Sequence, residues 1–221
     1  MIPLFLNPSH CLCVVIGGGE VGRRKARVLL GGGARVRLVC PEEPAHEWCY
    51  ADLEWITARY RAEYLNGATL VFAAATPEVN RQVVADAHDR GLWVNAASNP
   101  ESGDFILPAG LRRGELTVAV ATSGLAPVVA RTVRDWLADS IDAAFARWLE
   151  LVAELRPEIH ARTHEAEHLA IIFQHLCDAG WVQRLRHEDI SEIRQAMRAE
   201  VERLLASRTA PGHCGNSTPS L

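Results

Sequence analysis

The sequence predicts an α/β protein, a Rossmann-like doubly wound parallel sheet followed by an all-helical segment. Three observations carry this. The apolar run Cys11-Leu12-Cys13-Val14-Val15-Ile16 stops at three glycines, strands alternate with helical stretches as far as Ala121, and the pattern turns helical after Pro127. An unbroken apolar run suits a parallel strand buried on both faces, and strand–helix alternation implies right-handed crossovers between parallel strands.

The elements follow in order. Cys11 to Ile16 is the first strand. From Glu20 to Leu30, Val21, Ala26, Val28, Leu29 and Leu30 recur at helical spacing among arginines and a lysine, and Gly31-Gly32-Gly33 ends the helix. Arg35 to Cys40 alternates charged and apolar residues before Pro41 and is strand two. Leu70 to Ala75, closed by Thr76-Pro77, reads as strand four. Asn80 to Arg90 is helical, Leu92 to Asn95 a short strand, and Leu116 to Ala121 one more strand whose partner stays open between either domain and another subunit. Behind Pro127, Val128 to Leu155, Glu158 to Leu176 and His187 to Leu205 all read as helix.

At 221 residues the chain is long enough for two domains, and 48% hydrophobic with 23% charged residues is an ordinary globular composition. A net charge of −4 without a basic run argues against a nucleic-acid partner. The opening Met1 to Pro8 lacks the basic region and apolar core of a signal peptide, and no apolar run reaches membrane-span length, so a cytoplasmic location is expected. Cys11, Cys13, Cys40, Cys49, Cys177 and Cys214 show no paired C-x-x-C spacing and read as reduced packing residues rather than a disulfide frame. Ser207 to Leu221, rich in Thr, Pro, Gly, Asn and Ser, reads as a disordered tail.

The sharpest chemical signal is Gly17-Gly18-Gly19-Glu20-Val21-Gly22, a G-x-G-x-x-G between a strand and a helix. Gly17 permits the tight turn, Gly19 lets backbone approach a pyrophosphate, and Gly22 allows close packing of helix on strand, while the helix N-terminus offers free N–H groups to the anion. The acid that commonly holds the ribose hydroxyls belongs at the end of strand two, where Cys40 stands with Pro41 and Glu42 just beyond. Glu42 is the candidate ribose acid, and no arginine lies immediately after the strand to receive a 2′-phosphate. NAD is therefore expected over NADP.

A wider set of motifs lies in register with the glycine loop. Arg23-Arg24-Lys25 follows it, then Ala73-Ala74-Ala75-Thr76-Pro77-Glu78-Val79-Asn80, Val94-Asn95, Phe105-Ile106-Leu107-Pro108-Ala109, and Ala121-Thr122-Ser123-Gly124-Leu125-Ala126-Pro127-Val128-Val129-Ala130-Arg131. From about Pro3 to Leu137 this order resembles the precorrin-2 dehydrogenase family, which includes the N-terminal part of siroheme synthases. The resemblance implies oxidation of the tetrapyrrole precorrin-2 to sirohydrochlorin by hydride transfer to NAD, with ferrous iron insertion as a second activity in some relatives. It also implies a homodimer joined through the segment near Leu116 to Arg131. The expected organisation is thus an NAD-binding domain over residues 1–113, a dimerisation and linking region over 114–150, a helical domain over 151–206 and a tail over 207–221.

By resemblance the cofactor contacts fall at Glu20, Val21, Pro41 and Glu42, with Thr76 and Asn80 lining the same cleft. Read from the sequence alone, Thr76 is equally a strand-end turn residue and Asn80 a helix-start cap. Thr122, Ser123 and Gly124 match a segment facing the substrate, and Arg131 with Arg134 on the next helix, like Arg112 and Arg113, would attract tetrapyrrole carboxylates unless simply solvated.

One departure bears on mechanism. The family often carries an aspartate, a base or metal-handling group, where this chain has Ser98. A serine hydroxyl is uncharged at neutral pH and is no base without a partner. Either Asp104 takes over the acidic role, or dehydrogenation needs no carboxylate because the cofactor performs the hard step. The second reading is favoured, and it leads to a dehydrogenase with weak or absent ferrochelatase activity. His160, His164 and His168, four residues apart on one expected helix, read as a solvated face rather than a metal site. The rival readings are a bifunctional dehydrogenase and ferrochelatase, a non-catalytic dinucleotide or tetrapyrrole sensor or carrier, and a dehydrogenase of another small substrate.

Overall fold

The structure is a computed structural model and describes residues 1–207. The expected tail lies outside the described residues, except that Ser207 closes the last helix. The described residues divide into two compact units, 1–108 and 109–207.

The first unit is a five-stranded, all-parallel sheet in the order β3-β2-β1-β4-β5. Its strands are β1 (Leu12–Ile16), β2 (Arg35–Cys40), β3 (Leu53–Thr57), β4 (Leu70–Ala73) and β5 (Trp93–Ala96). Helix α1 (Glu20–Gly31) crosses from β1 to β2, and α2 (Pro77–Asp89) from β4 to β5. Alternate side chains of each strand feed opposite cores. Cys13, Val15, Leu38 and Phe72 pack with Ala26 and Leu29 of α1, whereas Val14, Ile16, Val71 and Val94 pack with Val83 and Ala87 of α2. This two-sided burial is what the continuous apolar runs encode: β4 is buried along its whole length and the central β1 at every residue after Leu12. The order reverses beside β1, so the carboxyl ends of β1 and β4 flank the crevice where ligands of such sheets bind.

Within this sheet the strand left unassigned from sequence is β3. It is an edge strand, half exposed, and pairs with β2 from Val36↔Leu53 to Cys40↔Thr57. Arg37 of β2 bridges to it, its Nε donating to Glu54 at 2.7 Å.

The second unit begins with an antiparallel hairpin of β6 (Ala109–Arg113) and β7 (Leu116–Val120). Gly114 turns the chain at φ +56. Five helices follow, α3 (Pro127–Ser140), α4 (Ala143–Arg162), α5 (Ala166–Leu176), α6 (Ala179–Leu185) and α7 (Ile190–Ser207). Helices α4 to α7 share a core of Leu151, Leu155, Ile159, Ile172, Ile193 and Met197, all fully buried.

Several sequence expectations are corrected in this unit. The strand expected at Leu116 to Ala121 finds its partner in β6, the chain from Pro127 to Ser207 carries helices alone, and the compact units divide at 108/109, ahead of the hairpin whose turn lies at the expected 113/114 boundary. The expected boundary at 150/151 falls inside α4. The single helix expected from Val128 to Leu155 breaks at Ile141-Asp142, where the Asp142 carboxylate caps α4 by accepting from Ala144 N at 3.0 Å and takes the Arg186 guanidinium at 2.7 Å. The one expected from Glu158 to Leu176 breaks between Arg162 and Ala166. His160 and His168 consequently lie on different helices. His168 is buried, with Nε2 3.1 Å from the Leu204 carbonyl, so it belongs to neither a solvated face nor a shared metal face with His160 and His164. Among the described residues no cluster of His, Cys, Asp or Glu could hold a metal ion.

Candidate cofactor site at the carboxyl edge of the sheet

The glycine loop connects β1 to α1. Gly17 sits at φ +115, and a Cβ there would lie 2.3 Å from the Ala74 carbonyl oxygen. A Cβ at Gly22 would lie 1.9 Å from the Gly17 carbonyl oxygen, so α1 can start this close to β1 only without a side chain. Gly19 is different. It caps α1 in an extended conformation, and nothing lies within 4 Å of where its Cβ would be. The space above Gly19 is open, and the unpaired N–H groups at the start of α1 face an approaching anion with the positive end of the helix dipole.

An open cleft of about 520 Å³ lies here, lined by Gly18, Gly19, Glu20, Arg23, Arg27 and Glu42. Beneath it the buried Cys40 thiol donates to the Glu42 carbonyl at 3.3 Å. Burial raises the thiol above its ordinary range, which keeps it neutral. Cys40 fills space at the strand end, and Glu42, two residues on, places a carboxylate in the cleft lining. Pro41 and Glu42 are exposed at the rim, as are Glu20 and Val21 at the helix start.

Thr76 and Asn80 act together at the carboxyl end of β4. The Thr76 hydroxyl caps α2 by accepting from Val79 N. Asn80 is 2% exposed, and its amide is fully engaged. Oδ1 accepts from Ala75 N at 2.8 Å, and Nδ2 donates to Ala75 O at 3.2 Å and to Ser98 Oγ at 3.0 Å. Asn80 is thus a clamp on the strand-end loops rather than a simple helix cap. It ties the loop after β4 to Ser98, two residues beyond β5.

Asp104 is not brought to Ser98. Its Oδ2 accepts from Val94 N at 2.8 Å near the start of β5 and lies 3.2 Å from His88 Nε2. The carboxylate pins the returning chain to β5, and these contacts support the favoured expectation that no second carboxylate stands in at the Ser98 position.

Three features went unread in the sequence. Lys25 of α1 reaches under the sheet edge, its Nζ donating to Asn95 Oδ1 at 2.6 Å while Asn95 Nδ2 donates to Phe105 O at 2.7 Å. Burial, with Arg24 adding to it, holds the Lys25 ammonium below its ordinary range. The β2–β3 connection supplies the buried Trp48, whose ring packs at a tilt against Trp55 of β3, 5.6 Å between centroids. Arg23 and Arg27 lie over these rings, so arginines reach the end of β2 from α1 although none follows β2 in sequence.

Thr122, Ser123, Gly124 and Arg131 belong to the second unit. Ser123 and Gly124 turn the chain at φ 51 and 83, and Thr122 Oγ1 accepts from Ala126 N at 3.2 Å, shaping the entry to α3. Ser123, Gly124 and Arg131 are exposed.

Comparison with known proteins agrees with this geometry. Residues 4–109 match a family model described as "Putative NAD(P)-binding". The chain is 35% identical over 209 residues to the siroheme synthase of Chromobacterium violaceum, covering 93% of this chain and 44% of that protein. The chain is a homologue of part of the siroheme synthases. The enzyme of Nitrosomonas europaea gives 34% identity over 187 residues, with 82% of this chain and 39% of that protein covered. This chain therefore spans less than half the length of these siroheme synthase relatives. Its fold is that of a solved precorrin-2 dehydrogenase, SirC, with a TM-score of 0.75 and 22% identity over 92% of this chain and 100% of that one. The siroheme synthase kinship extends well past the glycine loop, which a generic dinucleotide fold would not require. No helix among the described residues is long and apolar enough to cross a membrane.

Proposed function

We propose that this chain is an NAD-dependent precorrin-2 dehydrogenase that forms sirohydrochlorin, with weak or absent ferrochelatase activity. The observation that carries the reading is the open backbone at Gly19, set between the Glu42 rim and the Asn80–Ser98 clamp at the reversal point of the sheet. NAD bound there supplies the hydride acceptor.

The chain's residues bind and orient. The free N–H groups of Glu20 and Val21 receive the pyrophosphate, and Glu42 receives the ribose hydroxyls. Thr76, Asn80 and Ser98 shape the floor toward the reacting end. Because Ser98 Oγ accepts from Asn80, its own proton is free to donate toward substrate. The hydroxyl orients and does not deprotonate, so proton loss accompanying hydride departure goes to solvent. Thr122, Ser123, Gly124 and Arg131 supply hydroxyl, N–H and guanidinium donors for the substrate's acetate and propionate groups. Iron insertion calls for a carboxylate ligand and a base for the pyrrole protons, and Ser98 provides neither.

The assembly in this reading is a homodimer in the cytoplasm. The exposed stripe of Leu125, Val128, Val129 and Trp136 supports the first part, and the unpaired thiols of Cys11, Cys13, Cys40, Cys49 and Cys177 accord with the second.

The test is an anaerobic assay of the purified chain with fresh precorrin-2 and NAD, following sirohydrochlorin and NADH together, with Gly19→Asp as control. Coupled formation of both, lost in the variant, is expected. NAD binding without turnover would replace the enzyme by a carrier or sensor, with the serine at position 98 as the suspected cause. Robust siroheme formation from sirohydrochlorin and ferrous iron would overturn the chelatase part alone.

A further inference from the structure

The first turns of α1 carry a guanidinium whose place in the cleft the dehydrogenase reading does not use. Arg23 lines the space between Gly19 and Glu42. Its Cζ lies 5.8 Å from the Trp55 ring and 6.0 Å from the Trp48 ring, so two indoles hold it against the β2–β3 side of the cleft. Among the described residues no carboxylate lies within ion-pair distance of it, and its Nε is buried without a hydrogen-bond partner. Arg27, one turn further along α1, stands 4.8 Å over Trp48 and pairs only loosely with Glu47, at 3.8 Å.

The position decides what these groups meet. In a parallel sheet of this order a dinucleotide lays its pyrophosphate on the start of α1 and its adenosine ribose toward the end of β2. The Trp55 indole N–H donates to the Glu42 carbonyl at 3.0 Å, which fixes the rings, and with them Arg23, at that end of the strand. A 2′-phosphate on the ribose is a compact dianion, and a planar guanidinium with unspent donors is matched to it in charge and geometry. Glu42 acts in the opposite sense, since its carboxylate suits free ribose hydroxyls and repels a phosphate. Arg23 and Arg27 stand against Glu20 and Glu42 in the lining, two cations against two anions, so the attraction for a phosphate rests on the unpaired Arg23 guanidinium rather than on a net charge.

We propose that Arg23, with Arg27 behind it, forms a seat for the 2′-phosphate of NADP, so that this chain binds NADP as well as NAD and Arg23 carries the added affinity. The proposal rests on the dinucleotide reading of the cleft and concerns binding, not turnover. Glu42 is the residue that keeps NAD competitive.

The experiment is equilibrium titration of the purified chain with NAD and with NADP by calorimetry, for the wild type, Arg23→Ala, Arg23→Met and Glu42→Gln. Wild-type dissociation constants within about tenfold of each other are expected. Both Arg23 variants should weaken NADP by about tenfold or more while changing NAD by less than about threefold, and Glu42→Gln should weaken NAD and tighten NADP. Arg23→Met keeps a long stem against the indoles, and its retained NAD affinity reports that the cleft is intact. NAD binding with NADP weaker by more than tenfold overturns the proposal and leaves the dinucleotide reading standing, as does an equal loss of both nucleotides in both Arg23 variants. A chain that binds neither nucleotide overturns both.

Discussion

Asn80 Nδ2 donates to Ser98 Oγ at 3.0 Å, and this bond joins the loops that end β4 and β5. The same amide accepts from Ala75 N and donates to Ala75 O, so its capacity is consumed inside the fold. Asn80→Ala would strip three bonds from a side chain that is 2% exposed and leave the Ala75 N–H without its acceptor. The expected cost is about 1–3 kcal/mol in urea unfolding, with weaker NAD binding because the floor of the cleft loosens. Unchanged stability together with unchanged binding would show that the clamp is incidental.

Gly19 and Gly22 separate binding from folding. A methyl at Gly19 meets nothing within 4 Å, whereas one at Gly22 would collide with the Gly17 carbonyl. Gly19→Ala should therefore fold with a melting temperature near that of the wild type and lose NAD affinity by about tenfold or more, since the methyl occupies the approach to the pyrophosphate. Gly22→Ala should lower the melting temperature, because helix and loop must move apart. Circular dichroism melts and NAD titration on both variants check this, and equal destabilisation by both would contradict it.

The sequence discloses what depends on local pattern and hides what depends on meeting. Strands β1 and β4 are legible because burial on two faces imposes apolar runs, β2 because Arg35 to Cys40 alternates before Pro41, and the glycine loop because its spacing is a backbone requirement. Strand β3 escapes because an edge strand keeps Glu54 and Thr57 exposed. Strand β6 escapes because Ala-Gly-Leu-Arg-Arg has no strand signature and is held by pairing with β7. The break before α4 was written in Asp142, a capping residue, but two helices of similar polarity masked it. The Asn80–Ser98 bond and the arrival of Arg23 at the end of β2 join residues from separate elements, and no spacing in the chain announces either.

Buried acids set the alkaline limit of stability. Burial, with Cys11 adding to it, pushes the Cys13 thiol up to about 12. Burial and then the hydrogen bond to Asp86 push the Tyr60 phenol upward as well. Both groups keep their protons in the folded state after the unfolded chain has lost them, so the folded state binds more protons and stability falls as pH rises above about 9. Lys25, held low by burial, has the opposite sign and adds stability as pH rises toward the ordinary lysine value. Urea unfolding from pH 8 to pH 11 should show a decline that is shallower in Cys13→Ala and steeper in Lys25→Met. A flat profile, or slopes changed in the reverse sense, would contradict the assignment.

The apolar stripe before and along α3 gives the assembly its own test. Leu125 is 90% exposed, Val128 65%, Val129 51% and Trp136 66%, and their spacing of three, four and seven or eight residues sets them on one side of the helix and its entry turn. A helix that packs on the β6–β7 hairpin with its other face has no need of apolar residues here. An equivalent stripe on a second copy would remove them from water, a self-complementary contact of the kind a two-fold dimer makes. The wild type is expected to sediment as a dimer, and Val129→Glu combined with Trp136→Glu as a folded monomer with unchanged helicity. Because NAD contacts are assigned within residues 1–108, that monomer should still bind NAD with wild-type affinity. Monomeric wild type at micromolar concentration would sink the dimer, and loss of NAD binding on dissociation would mean that the cofactor site draws on the partner.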